Sequence, residues 1–295
     1  MSARTAKILK PLLKILFSAL LLWFVLKKID LQRLEAALSE ADAGWLALAL
    51  ILFNLSKIAS AFRLNLYFRA IGLKLSEGYN LVLYYVGMFY NLFLPGGIGG
   101  DGYKIYLLGK HFHKPIKPLV QAVLLDRLSG LAALVFYALL LYAASDYGRI
   151  VGTWSVFAAL GLAAAVFPVA WVATKWLFPA FLSVFKTTTL WGLGVQLLQL
   201  ASAGAILAAL AVDYARFEYL TLFLVSSVAA VLPLTIGGVG VREVTFLYGL
   251  ELIHEEPSLG VTFSFLFFII TALSSLAGLF LLRRVVPQSK EVGDG

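Results

Sequence analysis

Six ionisable residues fall inside or beside long apolar runs, and their pattern suits an anionic ligand. Lys104 closes the stretch LPGGIGGDGYK (94–104), and Arg242 closes LPLTIGGVGVR (232–242). In the same columns the two stretches share Leu, Pro, Ile and three glycines, at an offset of 138 residues. Asp101 and Glu243 lie close to the two cations, and LLDRLSG sets Asp126 beside Arg127 in another apolar run. Pro95 and Pro233 lack a backbone N–H, and glycines permit turns that other residues resist, so each stretch reads as a helix break. A helix that restarts at mid-depth turns its free N–H groups and the positive end of its dipole toward a cavity, which favours a phosphate. The candidate substrate-binding residues are Asn91, Gly96, Gly99, Gly100, Asp101, Lys104, Arg127, Gly237, Gly238, Gly240, Arg242 and Glu243. Asp101, Asp126 and Glu243 are also the groups suited to carry a coupling proton.

Blander readings of the same residues stay open. Glycines in membrane helices serve close packing, and Lys104 or Arg242 could reach a bilayer interface. Asp126 and Arg127 are adjacent, so they do not face each other on a helix; Asp126 could hold a neighbouring element in place. Lys57 lies in the second apolar segment near its cytoplasmic end, where reaching the interface competes with function. Asn91, Gln196 and Gln199 are uncharged polar residues of the kind that knit helices together.

Other chemistry is poorly represented. Cysteine is absent, which excludes disulfides, thiolate catalysis and Cys metal sites. His111-x-His113 has no carboxylate at ligand spacing, and His254 stands apart. GGDG lacks the Gly-Lys-Ser/Thr of a phosphate-binding loop, and no nucleophile elbow or His-Glu-x-x-His is present. No metal and no cofactor are expected. The formal charge of +8 comes from cations scattered between apolar runs, a membrane pattern and not a nucleic-acid one.

The elements that carry these residues are membrane segments. The chain is 61% hydrophobic and 14% charged, with mean hydropathy +0.90. Apolar runs lie at about 11–26, 44–62, 79–94, 119–143, 151–172, 190–212, 218–234 and 258–282. The first has a basic flank and no Ala-x-Ala-like site, so it reads as an uncleaved span. Shifted by 138, segments one, two and four fall on or near segments five, six and eight. The chain therefore reads as a duplication, about 1–147 and 148–285, within a single transmembrane domain, 1–295, that ends in a disordered tail, 286–295. If all eight segments cross, twelve Lys and Arg lie inside and ten outside; if segments three and seven return at their glycines, the count is sixteen against six. The positive-inside rule selects the second arrangement. The expected fold is an all-α integral membrane protein with eight hydrophobic segments in two inverted repeats. Each repeat has three full spans and one glycine-broken re-entrant hairpin, and both termini are cytoplasmic. Trp23, Trp45, Trp154, Trp171 and Trp176 near segment ends fit an interfacial belt.

FYNLFLPGGIGGDGYKIYLL, LLDRLSGL and LPLTIGGVGVRE resemble the lysylphosphatidylglycerol synthase transmembrane-region, or flippase-like, family, over about residues 8–285. The family includes the lipid-moving half of the multiple peptide resistance factor, and stand-alone proteins of which some are linked to polyprenyl- or dolichyl-linked sugars. The resemblance carries over to Asn91, Pro95, Gly96, Gly99, Gly100, Asp101, Lys104, Asp126, Arg127, Pro233, Gly237, Gly238, Gly240, Arg242 and Glu243. It implies a flippase of the bacterial inner membrane whose cargo is an anionic phospholipid or a polyprenyl-phosphate lipid. The soluble aminoacyl transferase domain of the resistance factor has no counterpart in the 295 residues, so no lysyl transfer is expected and the chain is read as a non-enzyme. Membrane lipids are the expected partners and nucleic acid is not. The alternatives are a transferase acting on lipid head groups, with Asp101 and Glu243 converging, and a lipid-binding accessory subunit of a synthase. Small-residue faces such as ASAGAILAALA (201–211) leave homo-oligomerisation open.

Overall fold

A computed structural model describes residues 31–93, 98–231 and 238–285, together with Trp23 and Lys27. The helix-breaking Pro95 and Pro233, the candidate ligands Gly96 and Gly237, most of the first apolar segment and the tail 286–295 lie outside the described residues. Among those described there are helices and no strand. In chain order they are α1 (Leu31–Glu40), α2 (Ala43–Ala70), α3 (Glu77–Phe93), α4 (Gly99–His111), α5 (Ile116–Ala144), α6 (Asp146–Val151) and α7 (Thr153–Leu177). A 3-10 turn (Pro179–Val184), α8 (Phe185–Ala209), α9 (Arg216–Val231), α10 (Val241–Leu252) and α11 (Pro257–Leu281) follow.

Local chemistry sets the helix ends. Asp42 accepts the Trp45 N–H at 3.0 Å and opens α2. Gly72, at φ 72°, closes it in the left-handed region that glycine adopts freely. Pro257 stands in the first turn of α11, and the Glu256 carboxylate accepts the Ser258 N–H at 3.1 Å. Five helical stretches are long and apolar enough to cross a bilayer: Ala43–Ala70, Ile116–Ala144, Thr153–Leu177, Pro179–Ala209 and Pro257–Arg284. The four helices that flank the glycine stretches are shorter, with 17 residues in α3, 13 in α4, 16 in α9 and 12 in α10. A span needs about 20.

The 138-residue shift holds for elements as well as motifs. Shifted α2 covers 181–208, the range of the 3-10 turn with α8. Shifted α3 covers 215–231, the range of α9, and shifted α5 covers 254–282, the range of α11. Packing follows the same pairing. α2 and its counterpart α8 form the most extensive helix pair, and the shorter helices are exchanged: α3 lies on α11, and α9 lies on α5.

Between lipid-embedded helices there is no hydrophobic drive of the kind water supplies, so close backbone approach and polar contacts hold the bundle. A Cβ on Gly100 would stand 1.9 Å from the Gly87 carbonyl oxygen, and one on Gly278 would stand 2.2 Å from the Tyr85 carbonyl oxygen. Glycine is what brings α4 and α11 onto the backbone of α3. Asn54 donates to the Ser274 hydroxyl at 2.9 Å and accepts from the Tyr85 hydroxyl at 2.8 Å, joining α2, α11 and α3. Ser202 donates to the Ala49 carbonyl at 2.8 Å, and Gln196 to the Gly130 carbonyl at 3.3 Å. Phe53, Phe267, Phe223, Phe263 and Phe246 form a chain of ring contacts through one core. The five tryptophans of the expected belt are all exposed.

A buried ion pair fastens α2 to α5. Arg63 donates through Nε to Asp126 Oδ1 at 2.8 Å, with side chains 5% and 11% exposed. Gly130 and Gly192 leave room for the guanidinium, where a Cβ would lie 3.2 and 3.4 Å from its terminal nitrogens. Asp126 is thus a structural holder of its neighbour, one of the roles open to it in the sequence. Two placements are corrected. Arg63, which the sequence puts among cytoplasmic loop cations, is 4% exposed inside α2. Lys57 is not near a helix end: α2 runs on to Ala70 because LNLYF after Arg63 keeps it apolar, and this sets Lys57 at its midpoint. The short helices α1 and α6 have no apolar run of their own and were not expected; α1 packs on α11, with Leu38 against the core.

Replacing Gly100 with alanine forces α3 and α4 apart. The loss is expected to be about 1–3 kcal/mol, the usual cost of overpacking, read as a lower unfolding temperature in detergent. Asp126→Asn strands the buried Arg63 charge and is expected to cost about 3–5 kcal/mol. Adding Arg63→Met with Asp126→Leu removes both charges and should recover most of that loss; a double variant no better than Asp126→Asn would deny the pair its role.

Candidate anion site

The two helix restarts are built from equivalent sequence and hold different charge networks. α4 restarts at Gly99, and Asn91 at the end of α3 accepts the Gly100 N–H at 2.8 Å. That bond fills one of the free donors of the first turn. Asp101, 8% exposed, occupies the same turn, where a helix favours negative charge. Lys104, 4% exposed, donates to Asp101 Oδ1 at 3.1 Å, and Arg127 of α5 donates through Nε to Asp101 Oδ2. The Lys104 Nζ lies 4.7 Å from the centre of the Tyr84 ring, and its stem passes over Gly87. One carboxylate is therefore clamped between two cations at the start of α4.

α10 restarts through Gly238 (φ 81°) and Gly240 (φ 89°), conformations that a side chain resists. Glu243 folds back to accept the Gly240 N–H at 2.6 Å on Oε2 and the Ser264 hydroxyl at 2.9 Å on Oε1. Both its oxygens accept hydrogen bonds, and Glu243 acts on Arg242 by its charge without an ion pair. Arg242 donates through Nη1 to the Ser227 hydroxyl at 3.0 Å, and its guanidinium carbon stands 5.3 Å from the centre of the Phe267 ring. The position equivalent to Asp101 is Val239. Among the described residues no carboxylate pairs with Arg242.

The structure adds four participants to the candidate site residues, of which the sequence had raised only Lys57. Lys57 Nζ lies 4.4 Å from the centre of the Phe53 ring, and Phe53 meets Phe267 edge-on at 5.6 Å, so Lys57 and Arg242 rest on the two rings of one aromatic pair. Arg242 and Arg63 are the charged groups within electrostatic reach of Lys57. Arg63, Ser227 and Ser264 are the other three. Lys57 and Arg63 carried a signal, since both are charges in a run that continues apolar to Phe68; the two serines carried none.

Of the expected site residues, Asn91, Gly99, Gly100, Asp101, Lys104 and Arg127 come together at α4. Gly238, Gly240, Arg242 and Glu243 come together at α10, while Asp126 turns to Arg63. α4 and α10 share no substantial packing, so Asp101 and Glu243 belong to separate networks. Among the described residues no cluster of three His, Asp or Glu could hold a metal. An apolar crevice of about 560 Å³ opens between α5, α7 and the 3-10 turn, lined by Leu128, Val135, Leu139 and Val166, with Tyr67 and Ser129 among its few polar groups.

No curated protein matches the chain. The family model described as "Lysylphosphatidylglycerol synthase TM region" matches residues 12–278, a range that contains both helix restarts and the Arg63–Asp126 pair. With five helices long and apolar enough to span a bilayer and a family match over nearly its whole length, the chain is a multi-pass membrane protein with a membrane-lipid-related function, and it belongs to the lysylphosphatidylglycerol synthase transmembrane-region family.

Proposed function

We propose that the protein carries an anionic lipid, a phospholipid or a polyprenyl-phosphate-linked lipid, between the leaflets of a bacterial inner membrane. The observation that carries this reading is a cation close to the start of each of two helix restarts inside a spanning bundle, Lys104 in the second turn of α4 and Arg242 in the first turn of α10. Restarts at depth are tolerated where they line a cavity or are buried in protein, and their N-termini suit a phosphate. The matching elements at a shift of 138 and the exchanged packing of α3 and α9 support two repeats around one site. With re-entrant arms, each repeat crosses three times, the repeats are inverted and the termini are cytoplasmic. Rocking of one half against the other then exposes the site to each leaflet in turn. The hydrocarbon tails stay in lipid or lie along the crevice between α5 and α7. The chain has no nucleotide-binding motif, so movement is downhill or coupled to an ion, with Asp101, Asp126 or Glu243 as proton carriers. A head-group transferase is disfavoured because the carboxylates it would pair, Asp101 and Glu243, are each committed to their own partners.

Transport is tested in proteoliposomes with fluorescent phosphatidylglycerol and a short-chain polyprenyl phosphate. Wild type is expected to move at least one, and Lys104→Ala combined with Arg242→Ala neither. A folded wild type that moves neither under any ion gradient sinks the carrier reading and favours the transferase or accessory-subunit role. The inverted arrangement has its own test, since the chain has no cysteine. Single cysteines at Lys110 and Lys175 should react with impermeant maleimide from the cytoplasmic side, and those at Arg149 and Arg216 from the other. Eight full crossings would swap the two results.

A further inference from the structure

The two restarts differ in one respect that bears on what binds between them. At α4 the protein supplies its own anion: Asp101 holds both Lys104 and Arg127. At α10 the equivalent position is Val239, and Glu243 spends both oxygens on Gly240 and Ser264. Arg242 keeps a hydroxyl and a ring as its partners, and Lys57 a ring. Among the described residues neither forms an ion pair with a carboxylate, and Glu243 acts on Arg242 by its charge alone. The stretches 94–97 and 232–237 contain no charged residue, and the chain before Asp30 has no Asp or Glu at all.

Lys57 cannot escape the problem by reaching water. It sits at the midpoint of a 28-residue helix, roughly 20 Å from either end at 1.5 Å per residue, beyond the length of a lysine side chain. Two like charges near one aromatic pair in a low-dielectric bundle repel each other, and cation–π contact offsets only part of that. A site of this kind is completed by an anion from outside the chain.

We propose that Lys57 and Arg242, with Ser227 of α9, form the headgroup pocket over the Phe53–Phe267 rings, and that it takes the doubly charged phosphate of a membrane lipid, a phosphomonoester or a diphosphate. This rests on the carrier reading's premise that a lipid phosphate is the ligand, and it assigns that phosphate to the second restart. Ion pairing selects the dianion. Asp126 is paired with Arg63, and Asp101 with Lys104 and Arg127, whereas neither Lys57 nor Arg242 has a carboxylate at ion-pair distance among the described residues. A phosphomonoester or diphosphate offers a negative charge to each, whereas the single charge of a phosphodiester is shared between them.

The test uses the full chain in detergent micelles and measures binding by native mass spectrometry and by thermal shift. The probes are a short-chain polyprenyl phosphate and phosphatidic acid as monoesters, phosphatidylglycerol as the diester, and inorganic phosphate as the water-soluble source of the same group. Wild type is expected to bind the monoesters about tenfold or more tighter than phosphatidylglycerol, as a lost charge-assisted contact implies. Inorganic phosphate should bind far more weakly than either monoester. Lys57→Gln and Arg242→Gln should each weaken monoester binding about tenfold or more, while the lipid-free protein melts no lower, because each removes an unmet charge. A merely structural lysine would show the reverse: a lower melting point and unchanged affinity. Should a variant fold poorly, Lys57→Arg and Arg242→Lys keep the charge and should retain monoester binding.

Equal affinity for the diester overturns the dianion, and equal affinity for inorganic phosphate overturns the lipid source. A larger loss in Lys104→Gln than in Lys57→Gln moves the site to the first restart and overturns the proposal. The outcome is separable from transport. Tight binding without movement in vesicles removes the carrier reading and leaves the pocket, whereas undiminished movement by Lys57→Gln removes the pocket and leaves the carrier.

Discussion

A charge in hydrocarbon has to be met by another charge, and the interior of this bundle is organised around that requirement. In water an exposed ion pair contributes little, but inside a membrane an unmet charge is expensive whichever scale is used. Asp126 meets Arg63, and Asp101 meets Lys104 together with Arg127. These pairs also decide which helices touch. The first fastens α2 to α5, and the second fastens the start of α4 to α5. Glu243 forms no ion pair among the described residues but fastens elements by hydrogen bonds: it closes the turn before α10 and ties it to α11 through Ser264.

Glycine makes those contacts reachable. The charged side chains that enter the bundle need room, and Gly130 and Gly192 give it to Arg63 while Gly87 gives it to the stem of Lys104. Gly100 serves packing more than any ligand, since its hydrogen faces the Gly87 backbone. Gly238 and Gly240 are required by their positive φ, and Gly100 by proximity to another helix.

How much of this was legible in the sequence depended on how local the cause was. The seven later apolar runs each contain a described helix at nearly the expected place, because twenty apolar residues between polar flanks have few other solutions. The recurrence of LPxxIGGxGx with a cation was legible as well, at one offset that the boundaries of the described helices also follow. Pairing was not. Asp126 and Arg127 are neighbours in sequence, yet one turns to α2 and the other to α4, and nothing in LLDRLSG says which. Lys57 was misplaced for a similar reason: an arginine at position 63 looks like the end of a span until Asp126, 63 residues on, is known to meet it. Ser227 and Ser264 matter only through what they touch.

Both restarts have a motif and a cation in common, and the residues around them make the two unlike. A two-fold arrangement of identical halves would hold either two carboxylates at the Asp101 position or none. With two, the cations of the bundle would outnumber its carboxylates by one and hold an anion weakly. With none, they would outnumber them by three and bind a ligand too firmly to release it. Asp101 in one half and Val239 in the other leave a surplus of two, with Lys57, Arg63, Lys104, Arg127 and Arg242 against Asp101, Asp126 and Glu243. The proposed carrier needs that kind of compromise, because the cargo's charge must stabilise the occupied state without making the empty one prohibitive on the return.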